Sequence, residues 1–465
     1  MADQSANNTR LQAPSPLRFE EIGPEEAFPV GVPSAFDSTL GWLVVKEDRS
    51  DPRSNEIQLP VAIIHTDAES PKSPVLYLSG GPGSSAMRTA AFPGAYPWLA
   101  DRDFIVIGQR GTHYAKPALM CPEFRMAIES GSSRITSVVA CRERLENAGI
   151  GLDNYNSRES AADLEDLRTA LGIESWNLYG GSYGTRLALT YARYFDDSLD
   201  SMVLDSPLPP NAIYDDQSAR NLEEAIRGIA RDCALQASCD EAFPNLEQRF
   251  FQTLAAVSES PLEIDGLDEP ITGVDLVSLL PLNSSADIRR APLYMDYLAR
   301  LDPSIKERIS GSPKAADFAW GMRFSVWCSE ALPFSKRSQM KAPGPVLGGY
   351  ESAAVSPDIC EAWGVEALDD SVVEPVSSDV PVLIVAGEFD PLTPPAWGEL
   401  ASRTLPNSLV AVARGDSHSP TQQWGGDGCA MKLAADFIEA PARVLEAPKS
   451  THCLFERAAP NYALE

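Results

Sequence analysis

Histidine is scarce in this chain of 465 residues, which has four, and its 38 basic side chains are outnumbered by 66 acidic ones for a formal net charge of -28. The search for an imidazole base or a metal site is thereby narrowed to His65, His113, His418 and His452. The shortage of positive charge works against nucleic acid and anionic lipid as partners, since both present phosphates that an acidic protein repels. The acidity itself keeps a surface solvated or, read more sharply, draws in cationic substrates. No segment approaches the ~20 apolar residues that span a bilayer, and the opening MADQSANNTR lacks the apolar centre of an export signal. No membrane association is expected. No CxxC pair occurs and the histidines are not spaced with cysteines as zinc ligands would be, so neither a metal nor another cofactor is expected.

What is present describes an ordinary folded protein. The hydrophobic fraction of 44% and the charged fraction of 22% are those of a globular chain, and the length accommodates one large core with a second, inserted unit. Eight cysteines fall into local couples, Cys121 with Cys141, Cys233 with Cys239, Cys328 with Cys360 and Cys429 with Cys453. Four disulfides are the expectation, against buried free thiols in a cytosolic enzyme. The protein is therefore expected to be secreted or periplasmic, with its export signal outside the present sequence.

Short runs rich in Val, Ile and Leu alternate with amphipathic stretches in two blocks, the pattern of a mostly parallel sheet covered by helices. The first block predicts strands at Gly41 to Val45, Val61 to His65, Val75 to Ser79, Phe104 to Gly108, Trp176 to Tyr179 and Ser201 to Asp205, with a helix from Ser160 to Leu171. From Pro207 the strand signal vanishes, and helical segments such as Ala219 to Ala234 and Leu246 to Ala256 are separated by proline-bearing loops. The strand and helix pattern resumes with Val380 to Ala386, Ala396 to Thr404, Leu409 to Ala413 and Cys429 to Ile438. The organisation expected is a core in two parts, residues 1–206 and 374–465, the latter with a C-terminal extension, and a helical lid inserted at 207–373.

In Trp176-Asn-Leu-Tyr-Gly-Gly-Ser-Tyr-Gly184 an apolar strand runs into G-x-S-x-G and then into a helix rich in Leu, Ala and Tyr. Gly180 and Gly184 leave room where a sharp strand-to-helix turn brings backbones together, so Ser182 is expected on a strained elbow with its hydroxyl presented to a pocket. A serine hydroxyl needs a base to take its proton, and in this topology base and acid follow later in the chain. His418, in the polar loop Gly415-Asp-Ser-His418 just past a strand, is preferred to His452 near the tail. Asp390 ends the buried-type strand Val380-Pro-Val-Leu-Ile-Val-Ala-Gly-Glu-Phe-Asp390 and is chosen as the carboxylate that orients the imidazole, with Glu388 and Asp416 as rivals. Two backbone donors are expected for the oxyanion. One is the N–H of Tyr183, after the nucleophile; the other, from the loop Gly80-Gly-Pro-Gly-Ser-Ser85, is placed at Gly81 with Gly80 as the alternative.

SGGPGSS at Ser79 to Ser85, QRGT at Gln109 to Thr112, GGSYGTRLAL at Gly180 to Leu189, LDSPLPP at Leu204 to Pro210 and GEFDPLTPP at Gly387 to Pro395 together resemble the proline iminopeptidase and tripeptidyl aminopeptidase family of serine peptidases, in its secreted branch. The resemblance spans most of the chain and covers the lid only weakly. It implies the α/β-hydrolase fold with a large helical cap, and Ser182, Asp390 and His418 as the triad. Ser79 stands where many members have histidine and Gly108 where aspartate usually precedes QRG.

An enzyme that works from a free N-terminus must pair the substrate ammonium with a carboxylate inside its pocket. Glu330 in Trp327-Cys-Ser-Glu330 resembles the family's lid segment in which an acid follows a cysteine, and is expected in that role, with Glu361 as the weaker candidate. Trp320, Phe324, Trp327 and Trp363 are expected to line an apolar pocket or simply to fill the core. The activity expected is an aminopeptidase cleaving short peptides through an acyl-enzyme. An esterase or amidase on a small molecule uses the same triad, and a non-catalytic binding protein is disfavoured by three triad candidates in order. The substrate expected is thus a small peptide, ester or amide, handled by a monomer or dimer.

Overall fold

The computed structural model describes residues 18–23, 28–263, 270–302, 317–336, 355–423, 426–447 and 452–464. Among these residues nine strands form one sheet in the order β1-β2-β3-β5-β4-β6-β7-β8-β9. They are β1 (Arg18–Glu21), β2 (Ser38–Lys46), β3 (Glu56–Ile64), β4 (Lys72–Leu78), β5 (Arg102–Ile107), β6 (Trp176–Gly181), β7 (Leu199–Asp205), β8 (Val382–Gly387) and β9 (Ser408–Ala413). The first three and β5 pair antiparallel; from β5 through β9 every pairing is parallel.

The apolar runs of the central strands are buried on both faces because side chains alternate across a strand. Leu76, Leu78, Leu178, Met202, Leu204 and Ile384 meet the helices Ser157–Ala170 and Tyr183–Phe195 on one side. Val75, Tyr77, Tyr179, Val203, Leu383 and Val385 meet the helix Cys429–Glu439 on the other. A residue at the C-terminal end of β6, β7, β8 or β9 therefore opens onto the same edge of the sheet, where ligands collect in open α/β folds.

Eight of the nine strands lie where the alternation of apolar runs predicts them. The exception is β1, whose sequence RFEE carries no apolar run and which completes the antiparallel edge by pairing with Gly41 to Val44. The described residues between β7 and β8 form helices, with a single isolated bridge, Leu262 to Ile271. They divide between two cores. Helices Tyr214–Ala234, Leu246–Glu259 and Ser285–Ala299 enclose a core of their own that includes Ile226, Phe250, Leu254 and Ile288. Helices Trp320–Glu330 and Pro357–Trp363 instead pack with Leu119, Phe124, Val138 and Leu145 from the excursion that follows β5. The roof over this part of the sheet is thus built from two distant stretches of chain, although composition assigns residues 119 to 145 to the first block.

All four cysteine couples are disulfide-bonded. Among the described residues no helix is long and apolar enough to cross a membrane.

Candidate active site

The turn from β6 into the helix Tyr183–Phe195 is tight because of what surrounds it. The Gly184 position lies against the Leu78 carbonyl of β4 too closely for any side chain, and a Cβ at Gly180 would sit 2.6 Å from the Gly184 carbonyl oxygen. Ser182 between them has φ 55° and ψ -122°, outside the ordinary regions for a residue with a side chain. Its N–H donates to the Asp205 carbonyl at 2.8 Å, tying the elbow to the end of β7. The residue is partly exposed.

Asp390, just beyond β8, is buried and saturated. Its Oδ1 accepts from Leu392 N at 2.8 Å and Thr393 N at 3.0 Å; its Oδ2 accepts from the Ser206 and Thr393 hydroxyls, both at 2.8 Å. The same Oδ2 receives Nδ1–H of His418 at 2.8 Å. Burial pushes the carboxyl up, but His418 and these donors outweigh it, and the net direction is downward. For His418 burial favours the neutral ring, yet the charge and hydrogen bond of Asp390, with help from Asp205, raise it above 6.5. In the neutral ring, the bond to the Asp390 carboxylate places the proton on Nδ1 and leaves Nε2 as the acceptor.

Two residues that the sequence did not single out hold this pair against the elbow. Ser206, at φ 59° right after β7, donates to Asp390 and accepts the N–H of Ser419, next to the histidine. Asp205 is fully buried, accepts from Thr421 N at 3.2 Å and from the Thr421 hydroxyl, and leaves Oδ1 without a partner; burial pushes it up to about 7. Ser206 stands in LDSPLPP, but nothing in that string marks which of its residues faces the acid. The rivals are otherwise engaged: Glu388 accepts from Gly415 N at 2.8 Å, and Asp416 takes the Ser285 hydroxyl at 2.5 Å and an ion pair with Arg457. His452 accepts from Leu454 N at 3.2 Å beside the Cys429–Cys453 disulfide.

The loop after β4 runs alongside Ser182. A Cβ at Gly80 would lie 2.9 Å from Ser182 Cβ and 3.4 Å from its Oγ, so only glycine lets the loop approach. Gly81 follows at φ 115°, a left-handed conformation that glycine alone adopts readily. Ser79 turns its hydroxyl inward to the Ser84 carbonyl at 2.8 Å, closing the loop on itself. Tyr183 begins the helix, and a first-turn N–H has no acceptor within its own helix. Gly108 packs against Pro60, whose Cγ would be 2.7 Å from any Cβ there, so the aspartate common at this place in the family has no room.

Glu330 does not present a free carboxylate to the cleft. It is 2% exposed, with Oε1 accepting from Ser157 N and Oε2 paired with Arg186 Nε at 3.2 Å. The expectation of an ammonium anchor overlooked Arg186, four residues beyond the nucleophile, whose burial leaves it needing that acid. Trp327 donates Nε1–H to Asp215 at 2.8 Å, meets the Tyr214 ring edge-on, and lines a small cavity with Tyr183, Arg186, Leu208 and Glu330. Trp320, Phe324 and Trp363 stack with Phe124 and one another in the core. Glu361 flanks the Cys328–Cys360 disulfide on the short helix Pro357–Trp363.

The sequence pattern of the alpha/beta hydrolase fold matches residues 73–420. Among characterised relatives, the chain is 28% identical over 447 residues to the serine protease Hip1 of Mycobacterium tuberculosis, covering 86% of this chain and 84% of that protein. It is 24% identical over 428 residues to a tripeptidyl aminopeptidase of Streptomyces lividans, covering 82% and 78%. Of solved structures, a proline iminopeptidase of Mycobacterium smegmatis aligns with 16% identity and a TM-score of 0.41 over 82% of this chain and 95% of that one.

Proposed function

Since the chain belongs to the alpha/beta hydrolase fold family, we propose that it is a serine hydrolase in which Ser182 attacks, His418 carries the proton and Asp390 orients the imidazole. The observation that carries this reading is the 2.8 Å bond from His418 Nδ1 to an Asp390 that four other donors hold in place, in a chain whose Ser182 sits on a strained turn tied to the end of β7. Ser182 Oγ adds to the substrate carbonyl carbon as His418 Nε2 takes its proton. The N–H groups of Tyr183 and Gly81 receive the oxyanion, and His418 protonates the departing amine or alcohol. Water then repeats the sequence on the acyl-enzyme and frees Ser182.

The substrate class we infer is a short peptide with a free N-terminus, released from that end, in an exported enzyme. The names of the relatives, a serine protease and a tripeptidyl aminopeptidase, support it. So do the four disulfides, which persist in oxidising compartments. One observation favours a second reading, an esterase or amidase without an ammonium anchor: Glu330 already has Arg186.

Turnover of prolyl, alanyl and tripeptidyl p-nitroanilides, set beside short-chain p-nitrophenyl esters, separates the two. Free-amine anilides are expected to be cleaved; ester turnover with inert anilides selects the esterase. Ser182→Ala must abolish both and end labelling by a fluorophosphonate, and a variant that hydrolyses like its parent removes the whole reading. Glu330→Gln, which breaks a buried ion pair, is expected to impair both substrate classes alike. A loss confined to free-amine substrates restores Glu330 as the anchor.

A further inference from the structure

The loop that supplies one oxyanion donor is held at almost every carbonyl. Gln109 Nε2 donates to Ser79 O at 3.0 Å, Ser84 N to Gly80 O at 3.4 Å and the Ser79 hydroxyl to Ser84 O at 2.8 Å. These are local or come from the turn just past the neighbouring strand β5. The remaining two bonds arrive from far along the chain: Arg323 Nη1 donates to Gly81 O at 2.8 Å, and Ala319 N donates to Gly83 O at 3.0 Å. Both donors stand at the start of the helix Trp320–Glu330. The approach is close enough that a Cβ at Gly83 would lie 2.7 Å from the Ala319 carbonyl.

Arg323 is itself immobilised. Its guanidinium lies 4.7 Å from the Trp327 ring centre and 5.8 Å from that of Phe318, and Trp327 is fixed in turn by Asp215. A guanidinium between aromatic rings makes a directional, charge-assisted bond that an ammonium does not reproduce.

The other end of the same helix reaches the second donor. Tyr183 N–H belongs to the helix Tyr183–Phe195, and Arg186 one turn on pairs with the Glu330 carboxylate and donates to the Glu330 carbonyl at 3.1 Å. Glu330 also accepts from Ser157 N, and the Ser157 hydroxyl bonds to the Tyr183 phenol at 2.8 Å. Eleven residues of helix, about 16 Å long, thus grip the loop donor at one end and the helix donor at the other. The Cys328–Cys360 disulfide anchors the gripping element.

We propose that the helix Trp320–Glu330 is the brace of the oxyanion hole, with Arg323 positioning the Gly81 side and Glu330 positioning the Tyr183 side. Neither touches the reacting atoms. They act by holding two backbone donors at the separation that the tetrahedral intermediate needs, which is where preorganisation contributes most to this chemistry. The inference rests on Ser182 as nucleophile.

Arg323→Met and Arg323→Lys in the full chain test it, with kcat per titrated site and KM measured on p-nitrophenyl acetate and Ki measured for a boronic acid, which forms a tetrahedral adduct. Arg323→Met is expected to lower kcat up to about 100-fold, the cost of misplacing a donor by about 1 Å and at the low end of that for losing one outright, with KM within about twofold. The boronate Ki should rise in step, because the adduct uses the same donors. Arg323→Lys keeps the charge and should fall between variant and parent; if Arg323→Met does not fold, the lysine variant carries the test. A folded variant with parental kcat, or one whose defect lies in KM with an unchanged boronate Ki, overturns the brace. Ser182→Ala keeps the two claims apart: if it retains activity the nucleophile is wrong, whereas an inactive Ser182→Ala beside a fully active Arg323→Met rejects the brace alone.

Discussion

At the scale of single residues, the proposed mechanism rests its chemistry and its pH dependence on the pair Asp390 and His418. The base must be neutral to accept a proton, so activity is lost as pH falls through the His418 pKa, which Asp390 and Asp205 hold above 6.5. Asp390→Asn removes the larger of these two influences and the acceptor that fixes the tautomer. The expected outcome is a kcat about 10³- to 10⁴-fold lower, with the acidic limb of kcat/KM displaced to lower pH. A pH profile of the purified variant checks both parts, and an acidic limb left in place would mean that Asp390 does not govern the base. The pairing of His418 with Asp390 was legible in the sequence because fold order restricts where base and acid can stand. Ser206, Asp205, Arg186 and Arg323 were not, because a buried charged or polar residue announces itself only through partners that tertiary packing brings to it.

At the scale of elements, periodic apolar runs were enough to locate the eight strands with buried faces, whereas β1 escaped because an edge strand needs no apolar pattern to pair. Helix starts shifted where capping rather than hydrophobicity decides: Asn156 caps the helix Ser157–Ala170 by accepting from Glu159 N, three residues ahead of the predicted start. The split of the inserted helices between two cores was invisible for a related reason, since amphipathic spacing shows that a helix buries a face but not against what. The brace helix illustrates the consequence. Its disulfide closes a loop of 32 residues, Cys328 to Cys360. Replacing both cysteines by serine is expected to lower stability by about 3 to 4 kcal/mol from loop entropy. Urea denaturation of the double variant measures the loss. Because the helix also holds the oxyanion loop, residual activity should fall at urea concentrations below those that unfold the sheet, and coincident transitions would show that the helix is secured without its crosslink.

At the scale of the whole molecule the surplus of acid over base has a consequence that no single contact contains. A net charge of -28 surrounds the protein with a negative potential that raises the local concentration of cations and lowers that of anions. For an enzyme that takes peptides with a protonated N-terminus, this field favours the substrate before any contact forms, whether or not a carboxylate waits in the cleft. With Glu330 paired to Arg186, long-range attraction is one way in which the chain can still favour an ammonium. Salt removes it selectively: the screening length shrinks from about 30 Å at 0.01 M to about 3 Å at 1 M, so charges spread over the surface stop acting on the cleft. The expected result is a kcat/KM for a free-amine alanyl anilide that drops several-fold between those salt concentrations, through KM rather than kcat. The same measurement on its N-acetylated counterpart, or on a neutral ester if that amide is not cleaved, should change by less than about twofold, because an uncharged substrate feels no such field. Equal salt dependence for charged and neutral substrates would assign the acidity to solvation of the surface alone.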